Sequence, residues 1–229
     1  MNMRAPDLLD SGMQGLPPGR LNDRRQDGDR RAPNIFWHKG AVTPDCRQGL
    51  FGHRPVTVWL TGLSGAGKST LAYELEKSLL AKGHACCVLD GDNLRHHLNC
   101  DLDFSAQSRR ENIRRAAEVA RLMNDAGLIV ITAFISPYIE DRAMARAIVG
   151  EARFIEVHVS TGLEACEARD SKGLYAKARA GKIPEFTGIS APYEVPLHPD
   201  IQLDTSELPL MASTDLLFSH LANLVFVET

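Results

Sequence analysis

VTVWLTGLSGAGKSTLAYELEKSLL, from Val56 to Leu80, is an apolar run, then a glycine-rich turn, then a helical pattern. It predicts a strand, a phosphate-binding loop and a helix. Within it Gly62, Leu63, Ser64, Gly65, Ala66, Gly67, Lys68 and Ser69 fit the spacing G-x-x-x-x-G-K-[ST], and Thr70 follows directly. Glycines at these intervals let successive backbone N–H groups converge on phosphate oxygens. A lysine adds a point charge, and the serine hydroxyl is a ligand for Mg²⁺. The flanks separate this loop from a chance match. Val56, Val58 and Leu60 form a β-rich run, and Leu71, Leu75 and Leu79 recur at helical spacing, so the loop opens a helix N-terminus that favours anions. The expectation is a protein that binds a nucleoside triphosphate with Mg²⁺.

Working outward, the 229 residues are 44% hydrophobic, enough for one packed domain with a tail. A formal net charge of −3 argues against a nucleic-acid partner. No apolar run approaches the roughly 18 residues that span a bilayer, so no membrane partner is expected. The N-terminus shows no secretory pattern, and the expected location is cytoplasmic. Cys46, Cys86, Cys87, Cys100 and Cys166 form no C-x-x-C pair and no zinc spacing. They read as reduced thiols.

Residues 1–33 are rich in Arg, Asp, Gly and Pro without periodicity and read as a disordered tail, leaving one domain over 34–229. From Asn34 to Pro55 an arm is expected, anchored by Phe36 and Trp37. Ala85 to Asp90 is a second short strand ending in acid. Ser105 is placed to cap a long helix running to about Ala126. Leu128 to Phe134 is apolar throughout, as a strand buried on both faces should be. Ser136-Pro137 is expected to open the next helix, and Phe154 to Val159 is another strand. Thr161-Gly162-Leu163-Glu164 has capping-box spacing. Residues 170–199 are rich in Gly, Pro and Lys with one brief helical pattern at Tyr175 to Ala180, which suggests a functional lid. Ile201 to Asp204 closes the strands, and Ser213 or Thr214 is expected to start a terminal helix. Strands alternating with helices predict an α/β fold: a three-layer α/β/α sandwich on a mostly parallel sheet of about five strands.

A phosphate loop alone does not separate a motor, a GTPase, an ATPase or a kinase. No N-K-x-D run is present, which disfavours a GTPase. The Leu128 strand ends without the acid that ATPases use to hold Mg²⁺ and polarise water. Instead Asp90 and Asp92 follow the second strand, where a carboxylate can position an acceptor hydroxyl. That pattern favours a kinase.

Between Asn34 and Thr205 the chain carries, in order, NIFWH, VTPDCR, GLSGAGKST, LDGDNLRH, FSAQSRRENIRR, AEVARLMNDAG, TAFISPY, DRAMAR, KGLYAKARAGKIPEFTGI, PYE and LDT. In these it resembles the adenylylsulfate kinases, P-loop enzymes that phosphorylate adenosine 5′-phosphosulfate on its ribose 3′-hydroxyl in sulfate assimilation. The resemblance implies that substrate, a homodimer, and the following roles. Asp92 orients or deprotonates the hydroxyl, and it or Asp90 joins Ser69 at Mg²⁺. Arg95 and Arg109 fork onto phosphosulfate oxygens, with Asn112 one turn along the same helix. Phe104 and Phe186 sandwich the adenine. Lys172 and Ile135 face the substrate, while Arg179 stands nearer ATP. Ser136 occupies the position described in bacterial members as a phosphoserine intermediate, although direct in-line transfer suffices and a serine before proline also reads as a helix cap. Arg110, Arg114 and Arg115 read as a solvated helix face. Asp103, Ala176 and Ser190 depart from the family pattern without removing a residue assigned to chemistry. A kinase of another nucleotide or small alcohol, and a non-catalytic nucleotide-binding subunit, are the competing expectations.

Overall fold

The computed structural model describes residues 40–226 together with Phe36 and His38. The tail expected over residues 1–33 and the anchor expected at Trp37 lie outside the described residues. Phe36 is 77% exposed, not buried as an anchor would be. The arm packs instead through a short helix α1 (Pro44–Phe51), capped by Thr43, whose last residue lies against Gly127 and stacks on His53.

Five strands, β1 (Thr57–Thr61), β2 (Cys86–Asp90), β3 (Ile129–Ala133), β4 (Phe154–Val159) and β5 (Ile201–Leu203), form one sheet in the order β2-β3-β1-β4-β5. Every pairing is parallel. Parallel neighbours need crossover connections, and these place helices on both faces. Along β1 the side chains alternate accordingly. Val58 and Leu60 enter one core with Leu71, Leu75 and Leu79 of α2 (Lys68–Ala81) and with Leu217 and Leu221 of the C-terminal helix α8 (Leu210–Val225). Trp59 enters the other, between Phe134 and Phe154, under α4 (Ala106–Asp125) and α5 (Ile139–Val149). Ala116, Ala117 and Ala120 are fully buried, so α4 meets the sheet through small side chains. Each fully buried leucine contributes about 1.5–3 kcal/mol, so the two apolar layers dominate the fold's stability.

The remaining helices are α3 (Gly91–His96), α6 (Leu163–Arg169) and α7 (Leu174–Arg179). Ser105 caps α4 as its position predicts. Three other starts differ from expectation. Ser136 is not a cap: α5 begins at Ile139, and Ser136 stands two residues before the N-cap Tyr138 with φ +39°. Thr161 does not cap α6, because its hydroxyl reaches Ala66 and Thr205 and leaves Gly162 at the cap. Helix α8 begins at Leu210 rather than Ser213 or Thr214, and Thr214 turns its hydroxyl back onto the Leu210 carbonyl at 2.9 Å. Residues 180–199 contain no regular element beyond an isolated bridge between Thr187 and Ala191. No helix among the described residues is long and apolar enough to cross a membrane.

Candidate active site

The centre of the sheet is its switch point, where β1 lies between β3 and β4 and the crossovers leave in opposite directions. A crevice therefore opens at the carboxyl ends of the strands. It is a cavity of about 1060 Å³.

At one end lies the phosphate loop, in a conformation only this sequence permits. Gly62 has φ +151°, and a Cβ there would stand 2.4 Å from the Val159 carbonyl oxygen. Gly65 has φ +75°, and its Cβ would fall 2.9 Å from the Cys166 carbonyl oxygen. The loop is held from outside its own sequence: Thr205 donates to the Ala66 carbonyl at 2.8 Å and Tyr175 to that of Ser64 at 2.8 Å. Arg169 donates to the Gly65 carbonyl at 3.2 Å and to Thr205 Oγ1 at 2.8 Å. Helix α2 starts directly at Lys68 with no side-chain cap, so its first N–H groups remain available to an anion. Lys68 is buried, with its ammonium on the Gly62 and Leu63 carbonyls at 2.9 and 2.6 Å. Burial pushes its pKa down to about 8, against smaller opposing effects of Cys166, Asp90 and Asp92.

Beside the loop, Ser69 Oγ donates to Asp90 Oδ2 at 2.6 Å. The other oxygen of Asp90 accepts from the Asp92 and Asn93 amides at 2.9 and 3.3 Å, capping α3. A hydroxyl and a buried carboxylate this close are the hard oxygen donors that suit Mg²⁺, which keeps several waters and needs few protein ligands. Among the described residues no cluster of three metal-ligating acids, histidines or cysteines exists. Asp92 projects from the first turn of α3 and pairs with Lys172, which raises the lysine's pKa.

The far wall carries the expected aromatic and cationic groups. Phe104 is 64% exposed, on a turn that Asp103 builds by accepting from the Ser105 amide and hydroxyl at 3.0 and 2.7 Å. Those bonds lower the Asp103 pKa to about 2. Phe186 is buried edge-on against Tyr175, and its amide donates to Ser190 Oγ at 2.9 Å, so Ser190 supports the turn. Arg109 bridges the two phenylalanines, donating to the Phe104 carbonyl at 2.8 Å, to Glu185 O at 2.7 Å and to Thr187 Oγ1 at 3.0 Å. Arg95 donates to the Leu102 and Asp103 carbonyls and lies 4.5 Å over the Phe104 ring. Burial, then the nearby Arg109, lowers its pKa. Neither fork is open as expected; both brace the aromatic wall. Asn112 accepts from Asn99 at 2.9 Å.

Ser64, Gly65, Gly67, Lys68, Ser69, Thr70, Asp90 and Asp92 thus share one cavity with Arg95, Phe104, Arg109, Asn112, Ile135, Ser136, Lys172 and Phe186. Gly62, Leu63 and Ala66 shape the loop from behind. Arg179 is not brought in; it pairs bidentately with Glu167 on an exposed face, at 3.0 Å through each nitrogen. Arg169 occupies the place beside the loop, and it, Thr205, Tyr175 and Thr187 are among the lining residues to which the motifs assign no role. Arg114 pairs with Glu111 along α4 and Arg115 with Asp101, while Arg110, itself exposed, reaches the buried Asp141 of α5.

A phosphate loop at the switch point of a 2-3-1-4-5 parallel sheet, facing a carboxylate across a nucleotide-sized cavity, defines a P-loop kinase. A family model described as adenylylsulphate kinase matches residues 54–204. An adenylyl-sulfate kinase of Erwinia tasmaniensis is 58% identical over 175 residues, covering 76% of this chain and 87% of its own. One from Vibrio vulnificus is 55% identical over 188 residues, covering 82% and 91%. The structure of Mycobacterium tuberculosis APS kinase CysC in complex with AMPPNP and APS superposes with a TM-score of 0.71 at 49% identity, covering 73% of this chain and 98% of that one. The chain belongs to the adenylylsulfate kinase family.

Proposed function

We propose that the chain transfers the γ-phosphoryl group of ATP to the ribose 3′-hydroxyl of adenosine 5′-phosphosulfate, giving 3′-phosphoadenylyl sulfate and ADP. The observation that carries this is the Phe104–Arg109–Phe186 wall facing the phosphate loop, with Asp92 within the same cavity. Two phenylalanines lining one cavity suit a flat purine, and Arg95, Arg109 and Lys172 supply positive charge for a phosphosulfate. The M. tuberculosis relative in complex with AMPPNP and APS supports both ligands.

The phosphate loop and Lys68 hold the triphosphate and offset charge on the transferred group. Ser69 and Asp90 would hold Mg²⁺, which supplies neutralisation of the β- and γ-phosphates. Asp92 takes the 3′-hydroxyl proton as the oxygen bonds to the γ-phosphorus. The bond from that phosphorus to the bridging oxygen breaks, and ADP leaves with the electron pair. The Ser136 hydroxyl accepts from the Trp59 indole N–H at 3.2 Å and the residue is buried, which favours direct transfer over a phosphoserine. Residues 170–199, carrying Lys172 and Phe186, act as the lid of a single domain spanning 34–229. The cytoplasm as location, a role in sulfate assimilation and a homodimer belong to the same reading, supported by the family resemblance. Incubation with γ-labelled ATP and adenylylsulfate tests the reaction: label should enter a product from which a 3′-nucleotidase releases it as phosphate. Label retained after that treatment would refute the assigned hydroxyl.

A further inference from the structure

One buried guanidinium joins three segments remote in sequence. Arg142, on α5 and 3% exposed, donates to the Ser136 carbonyl, to the Glu194 carbonyl and to Glu156 Oε1, each at 2.8 Å. It also lies 5.9 Å from the Tyr193 ring centroid. A rigid planar fork can serve acceptors in three directions, which a lysine ammonium cannot do from one position.

What Arg142 holds is a residue in an unfavourable conformation. Ser136 has φ +39° without being glycine, so the contacts around it must over-determine its geometry. Beside it, Thr61 Oγ1 donates to the Ile135 carbonyl at 2.8 Å and lies 3.0 Å from the Tyr193 hydroxyl. Thr61 has one proton. With that proton on Ile135, Tyr193 is the donor to Thr61, and its ring stacks on His158 beside the Arg142 guanidinium. The Glu194 amide adds a bond to the Pro137 carbonyl at 2.8 Å. The wall at Ile135–Pro137 is therefore fastened to Tyr193 and Glu194, in the C-terminal part of the lid. The phosphate loop has braces of its own in Thr205, Tyr175 and Arg169, and it meets this wall through one long bond, from the Gly62 amide to the Ile135 carbonyl at 3.4 Å.

We propose that Arg142 is a positioning residue for the acceptor substrate. It keeps Ser136 in the left-handed conformation that presents the Ile135 wall to the cavity, and it moors the return segment of the lid against that wall. The inference rests on the reading that the cavity takes adenylylsulfate, and it assigns Arg142 to that substrate rather than to ATP.

Steady-state kinetics with each substrate varied, together with thermal melting, test this on wild type, Arg142→Lys and the double variant Arg142→Lys/Ser136→Gly. Arg142→Lys should raise KM for adenylylsulfate by about tenfold while KM for MgATP stays within about twofold, the pattern of lost acceptor binding. Ser136→Gly in the same chain should recover most of that loss, because glycine takes positive φ without strain. Equal changes in both KM values, a loss of kcat alone, or no recovery would overturn the proposal. Tyr193→Phe, which removes one hydroxyl and keeps Arg142, should shift KM for adenylylsulfate in the same direction by less. If Arg142→Lys does not fold, an unchanged KM in Tyr193→Phe overturns the proposal. A wild type inert toward adenylylsulfate would overturn the functional reading itself, and the substrate named here with it. Turnover by wild type without the KM split would overturn only the assignment of Arg142.

Discussion

The Ser69 hydroxyl donates to the Asp90 carboxylate across 2.6 Å, joining the phosphate loop to the end of β2. Asp90 is also the N-cap of α3, so its charge and its capping role can be separated. Asparagine caps a helix about as well as aspartate. Asp90→Asn should therefore shift the melting temperature by no more than about 4 °C, within the range of a 1 kcal/mol change. It should raise the Mg²⁺ concentration for half-maximal rate several-fold. Magnesium titrations of the two proteins at saturating substrates check this, and superimposable curves would remove Asp90 from the ion's surroundings.

Asp92 and Lys172 form an ion pair whose side chains are 66% and 64% exposed. Pairs this exposed contribute about 0–1 kcal/mol to stability, so neither residue is held by the fold's needs. Asp92→Asn should lower kcat by about 10²–10⁴, the range of a lost general base, with unchanged melting. Lys172→Ala should leave kcat closer to wild type and raise KM for the acceptor. Rapid-quench kinetics under single turnover would isolate the chemical step, and an Asp92→Asn burst as fast as wild type would contradict the assignment.

Lys68 titrates near pH 8 because burial disfavours its charge. Its cationic form binds the triphosphate, so kcat/KM for MgATP should fall as pH rises through about 8. Bound phosphates restore the cation, so the alkaline limb of kcat should lie higher. Stability has the opposite sign. Between about 8 and the ordinary 10.5 the unfolded chain binds more protons than the folded one, so this lysine's contribution to stability rises with pH across that window. Identical alkaline limbs in kcat and kcat/KM would contradict the argument.

How far such features were legible in the chain depended on whether their partners were close in sequence. The strand, loop and helix around Lys68 are contiguous, and their chemistry follows from residue type and spacing. Asp90, Asp92, Phe104 and Phe186 were found because motifs carry them. Arg169 and Thr205 were given no role; Thr205 stands in the LDT motif, but it reaches Ala66 from 139 residues away and nothing local shows that contact. Thr161 and Ser136 misled for a related reason. Each has the composition of a helix cap, but each spends its hydroxyl in a buried contact made only by the folded sheet. Arg179 was expected nearer ATP because of its motif, and the short helix α7 points it at Glu167 instead.

Acid should weaken the fold through three histidines. His53, His84 and His158 are each shifted below 6.5 chiefly by burial, and each has a buried Nδ1 without a partner. Below 6.5 the unfolded chain therefore binds more protons, and stability is lost as pH falls further. His84 stacks on Phe226 with ring centroids 3.9 Å apart, a setting that accepts another aromatic ring. His84→Phe should reduce the decline of the urea midpoint between pH 7 and pH 5. An unchanged decline would assign the acid sensitivity elsewhere.

The central claim is that the phosphate loop faces an adenylylsulfate acceptor. A coupled ADP-release assay with MgATP measures it directly, comparing adenylylsulfate with adenosine monophosphate and with simple alcohols. ADP formation should depend on adenylylsulfate, and adenosine monophosphate, which lacks the sulfate that Arg95, Arg109 and Lys172 would meet, should be a poor substitute. Equal ADP formation with another acceptor, or none with adenylylsulfate, would contradict the account.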